Sequence, residues 1–99
     1  MNQIICDAIR NRRVLKFTYD GHPRIVEPHA YGLTRARTRN EVMRCYQTGG
    51  TSRYSKVPEW KLMKVNLIKS LTVTEKHFVG ERDGYQRGDR GMSTIFCEL

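Results

Sequence analysis

The 99 residues hold no CxxC pair, and their three cysteines, Cys6, Cys45 and Cys97, are widely spaced and odd in number. Neither a zinc site nor a disulfide framework is suggested; three reduced thiols packed as small hydrophobes are expected. His22, His29 and His77 show no ligand spacing, so no metal and no cofactor is expected. No apolar run approaches the roughly 20 residues that span a bilayer, so no membrane association is expected. The opening "NQIICDAIRNRR" turns charged too soon for the apolar centre of a signal peptide, which makes the cytoplasm the expected compartment. No serine sits in a GxSxG elbow, no glycine-rich loop leads into a Lys-Ser or Lys-Thr pair, and the ten carboxylates are scattered singly. Without these arrangements a catalytic role is not expected.

Acidic residues are scarce relative to basic ones. Eighteen Lys and Arg face ten Asp and Glu, a net charge of +8. The excess is uneven: residues 1–69 hold fourteen basic against five acidic, residues 70–99 four against five. Such a field attracts anions, and phosphates are the commonest anionic partners of small basic domains. The hydrophobic fraction is low at 38%, but nine aromatics can anchor one compact domain.

Local pattern sets the elements. In "QIICDAIRNR" (residues 3–12), Ile5 and Ile9 are four apart, as are Ile4 and Ala8, which predicts a short amphipathic helix with Asn2 as its N-cap. "VLKFTYD" (14–20) alternates as a strand, and Asp20-Gly21 signals a hairpin turn. The return strand is expected over 24–33, with Pro28 marking an edge, a bulge or a bend. Residues 34–40 and 51–59 read as polar connections on either side of a strand over 41–48. "WKLMKV" (60–65) and "LTVTE" (71–75) read as further strands, and 66–70 as one helical or 3₁₀ turn. The expected organisation is a helix and β-barrel over 1–78, then an irregular extension over 79–99 that packs on or flanks it. Within that extension Ile95-Phe96-Cys97 can form a last strand. One helix and about five strands indicate a mainly β fold, a small barrel.

Basic residues interleave with aromatic ones. Phosphates are gripped by Arg and Lys, and bases stack on rings or guanidinium planes. The candidate ligand-binding or nucleic-acid-binding residues are Tyr19, Arg24, His29, Arg44, Tyr46, Gln47, Lys61 and Lys64, with Tyr31 and Trp60 beside them. In "EVMRCYQTGG", Met43, Cys45 and Gln47 share one strand face, while Val42, Arg44 and Tyr46 share the other. With Met43 and Cys45 in the core, the Gln47 amide is expected at the rim. Arg44 and Tyr46 then project together from the outer face.

The order of segments resembles the WYL-domain family. The matching stretches are "AIRNRRVLKFTY", the Arg24-x-Val26-x-Pro28 pattern, "VMRCYQTGG" and "KLMKVNLIKSL", over about residues 4–78. The resemblance implies an Sm-like, SH3-type β-barrel. It also implies a ligand-sensing module of bacterial transcription regulation or phage defence, binding single-stranded nucleic acid or a nucleotide-like effector. Carried over by position, Tyr19, Arg24, Arg44, Lys61 and Lys64 occupy polar or basic positions of the family. The tripeptide that names it falls at Glu41-Val42-Met43, where none of its residues is present. Two of the family's arginines appear as Lys61 and Lys64, point charges instead of planar forks, and a third as Leu67. Assembly into homo-oligomers through exposed strand edges is a further expectation. The alternative reading is a protein–protein interaction module whose basic surface meets an acidic partner.

Overall fold

The computed structural model describes residues 1–35, 37–53 and 56–99. Ala36, Tyr54 and Ser55, which fall in the two polar connections expected from sequence, lie outside the described residues. The fold is mainly β, with one short helix. In order come α1 (Gln3–Arg10), β1 (Arg13–Tyr19), β2 (His22–Thr34), β3 (Glu41–Gly50), β4 (Glu59–Lys64), a 3₁₀ turn (Val65–Leu67), β5 (Lys69–His77) and β6 (Met92–Glu98). All pairings are antiparallel, in the order β4-β3-β2-β1-β5, with β6 also on β2. Among the described residues the sheet has six strands, one more than expected, because the chain's last segment returns as β6. It is not closed: β4 and β5 end the path and do not pair with each other.

The turns follow the sequence chemistry. Asp20 and Gly21 both take positive φ (52° and 72°) and join Tyr19 to His22 in a two-residue hairpin. Asn2 caps α1, its side-chain oxygen accepting from the Ile5 N–H at 3.1 Å. β2 runs thirteen residues and changes partner on one side. His22–Val26 pairs with β1, and Ala30–Thr34 pairs with β6. Pro28 lies between these registers, beside a register shift against β3, so it marks a bulge in a central strand.

β1 to β4 roll around one core. Ile5, Cys6, Ala8 and Ile9 of α1 pack with Leu15, Phe17, Val26, Tyr31, Met43, Cys45 and Met63. Ile4, expected in the apolar stripe, is exposed, and Cys6 takes its place. The roll shows in one bond. The Tyr19 hydroxyl of β1 accepts from the Lys64 N–H at the end of β4 (3.1 Å), although strands three places apart in a flat sheet lie roughly 14 Å from each other. Tyr31 fastens α1 to the sheet: its hydroxyl accepts from the Asn2 N–H at 2.6 Å and donates to the Glu41 carboxylate.

The three cysteines do not behave as three free thiols. Cys6 and Cys97 form a disulfide across 91 positions, their Cα atoms 5.5 Å apart, and Cys45 alone is free and buried. The correction has a physical reason. Cys6 on α1 and Cys97 on β6 are brought together by the packing of the first element on the last, so no short-range spacing announces the pair. Among the described residues no helix is long and apolar enough to cross a membrane.

Candidate functional site

The pleat divides the eight residues singled out from sequence into two groups. Tyr19, Arg24, Gln47 and Lys61 belong to the inner face, at the mouth of the rolled sheet. Tyr19 packs against the core cluster, Arg24 pairs with Phe17, and Lys61 pairs with Cys45. Arg44 and Tyr46 belong to the outer face of β3, and His29, in the β2 bulge, lies against the same layer of rings. Lys64 is exposed at the end of β4 and meets the mouth only through its backbone N–H on Tyr19.

Arg24 is the centre of the inner group. It is 5% exposed. Its Nε–H and Nη2–H donate to the Tyr19 carbonyl (3.3 and 3.1 Å), and Nη1–H donates to Gln47 Oε1 (3.1 Å). Its guanidinium also lies 5.5 Å from the Tyr19 ring centroid. Gln47 is fully buried; its amide does not reach the rim but donates to the Gly49 and Thr51 carbonyls (2.9 and 3.0 Å). Arg24 and Gln47 thus staple the β1–β2 hairpin to the end of β3. Lys61, its side chain 13% exposed, donates to Ser52 Oγ at 3.1 Å and pairs with Glu59 at 2.9 Å. The buried Cys45 thiol lies near Arg24, Arg44 and Lys61, yet loss of hydration dominates and pushes its pKa up to about 12.

Beside this staple opens a groove of about 520 Å³, with Tyr19, Asp20, Arg53, Leu67 and Lys69 in its walls. Asp20 and Arg53 form an ion pair at 3.4 Å. Leu67 and Lys69 are exposed, so the groove offers an aromatic ring, an apolar side chain and two cations to solvent. Sequence reasoning named only Tyr19 of these. Arg53, Leu67 and Lys69 lie in or beside segments read as connections, and the roll of the sheet brings them to Tyr19.

The outer group is covered by the chain itself. Residues 79–91, the first part of the extension expected over 79–99, cross β2, β3 and β4 as a strap. His29 is fully buried against Trp60, Phe78 and Tyr85, ring centroids 4.8, 5.5 and 5.1 Å away. Its Nε2 accepts from the Arg82 N–H (3.2 Å), so Nδ1 carries the proton and donates to the Glu27 carbonyl (2.9 Å). Burial holds its pKa below the usual 6.5, against the pull of that backbone bond and of the Glu27 and Glu81 carboxylates. Arg82 grips Glu27 with two bonds (2.7 and 2.9 Å) and lies over the Tyr46 ring at 4.9 Å. Arg44 Nε–H and Nη2–H donate to the two Asp89 oxygens (2.7 and 3.2 Å), which holds that carboxyl below its usual range. Trp60 packs on Tyr46 and Tyr85, and its Nε1–H donates to the Asp83 carbonyl (3.0 Å).

No group of three or more potential metal ligands occurs among the described residues. Comparison with protein-family models, curated proteins and solved structures finds no match to this chain.

Proposed function

We propose that the chain is a non-catalytic module that binds single-stranded nucleic acid or a nucleotide-type anion in the groove beside Tyr19. The observation that carries this reading is the composition of that groove. A tyrosine ring, the exposed Leu67 side chain, the Lys69 cation and the Arg53–Asp20 ion pair meet around about 520 Å³. Stacking on a ring and phosphate contact by cations are what sequence-tolerant binding of single strands needs. The Arg24–Gln47 staple serves the site indirectly, holding the Tyr19 backbone in place. Kinship with WYL domains, a ligand-sensing role in transcription regulation or phage defence, and a relation of the rolled, open sheet to SH3-type folds belong to the same proposal. The Tyr19–Lys64 contact supports the roll.

Titration of a labelled single-stranded oligonucleotide at rising salt tests the reading. Log affinity is expected to fall linearly with log salt, and Lys69→Ala to lower the slope by about 0.7, one phosphate contact on a single strand. The melting temperature of that variant is expected to stay near the parent's, because Lys69 is exposed. No binding even at low salt would sink the reading and leave the basic surface to an acidic protein partner.

A further inference from the structure

The strap holds the sheet through two side-on ion pairs, and one of them lines a cleft. Arg44 presents its fork to Asp89, whose Oδ1 also accepts from the Gly91 N–H at 2.8 Å. A guanidinium fork that takes two carboxylate oxygens takes two phosphate oxygens equally well. Between strap and sheet lies a cleft of about 280 Å³, its walls including Arg44, Trp60, Tyr85, Asp89 and Arg90. The Trp60 and Tyr85 rings lie 6.0 Å apart, tilted by 25°. Arg90 is exposed.

We propose that this cleft is a second anion-binding site, occupied in cis by the Asp89 carboxylate. Its ligand is an aromatic ring that bears a phosphate monoester, as in a nucleoside monophosphate. The phosphate replaces Asp89 on Arg44, Arg90 supplies the second cation, and the base lies against Trp60 or Tyr85. The inference rests on the reading that the chain binds phosphate-bearing aromatics, but it uses none of the residues of the Tyr19 groove.

Two features make Asp89 displaceable. A phosphate monoester carries between one and two negative charges near neutral pH, against the single charge of a carboxylate, and it faces two arginines here. The strap also has no regular structure, and most of its residues from Val79 to Arg90 are exposed, so the Asp89 end can shift while Tyr85 stays packed on Ala30, Val42 and Met92.

Trp60 is the sole tryptophan, so its fluorescence reports on this cleft. Adenosine 5′-monophosphate is titrated into the parent, Asp89→Asn and Arg90→Glu, with the fold of each checked by circular dichroism. The expected result is saturable quenching, tighter in Asp89→Asn on the order of tenfold and weaker in Arg90→Glu by a similar factor. Inorganic phosphate alone is expected to give no response over the same range, since it has no ring to place against Trp60. Unchanged affinity in a folded Asp89→Asn would overturn the proposal. Should that variant fail to fold, unchanged affinity in Arg90→Glu, an exposed substitution, overturns it equally. Lys69→Glu separates the two sites. It is expected to weaken oligonucleotide binding and leave the Trp60 titration as it was; loss of both would assign the signal to the Tyr19 groove and end the proposal.

Discussion

Arg24 shows how a single residue changes meaning between sequence and structure. As a basic residue after a hairpin turn it reads as a phosphate contact. In the fold its guanidinium is buried and bonded to a carbonyl and an amide, and among the described residues no carboxylate pairs with it. A buried cation held only by neutral acceptors has a positioning role, because exposing it to a ligand would first break the Tyr19–Gln47 staple. His29 is a similar case with a pH signature. Its folded pKa is lowered by burial, so above 6.5 the imidazole is neutral in both states. Below 6.5 the unfolded chain binds a proton that the folded chain does not, and stability falls until the folded pKa is reached. We expect the midpoint of urea unfolding to drop as pH is lowered from 7 through 6, and this part of the drop to vanish in His29→Gln. An unchanged pH slope in that variant would place the loss elsewhere.

At the level of elements, alternation settled more than composition. The two faces of β3 were legible because Met43, Cys45 and Gln47 alternate with Val42, Arg44 and Tyr46, and the alternation holds, with the Gln47 amide buried instead of at the rim. What covers each face was not legible, because pleating says nothing about a strap that arrives forty residues later. The Asp20-Gly21 hairpin was legible because its turn demands positive φ at both positions. At the far end of β3, Gly49 and Gly50 lie beyond the strand end expected at residue 48, yet both continue the ladder against Ile25 and Arg24. Gly50 has φ 82°, and an added Cβ there would lie 2.0 Å from the Pro23 carbonyl oxygen. Gly50→Ala is therefore expected to destabilise by at least ~1–3 kcal/mol, the cost of a strained backbone position. A thermal melt within 1 °C of the parent would show that β2 and β3 separate there without penalty.

The whole molecule is a rolled sheet tied across its ends. α1 and β6 are the first and last elements, and the Cys6–Cys97 disulfide joins them. On a chain-entropy view a loop of this length stabilises the fold by up to ~4.6 kcal/mol, relative to the reduced chain. Disulfides persist in oxidising compartments, and the bond therefore weighs against the cytoplasmic expectation, where thiols are kept reduced. Thiol titration distinguishes the two. Protein isolated without reductant is expected to show no reactive thiol when native, because Cys45 is buried and protonated, and one thiol per chain in denaturant. Three thiols in denaturant would mean that the bond does not form in the source compartment. By itself the sequence determined the strand periods, the helix cap, the hairpin turn and the surplus of positive charge, since each depends on residues within a few positions of one another. Only the tertiary structure decided which cations face a groove, which lie beneath the strap, and which cysteines bond. Those outcomes depend on the roll of the sheet and the return of the tail, contacts between residues 40 to 90 positions apart that no local pattern encodes.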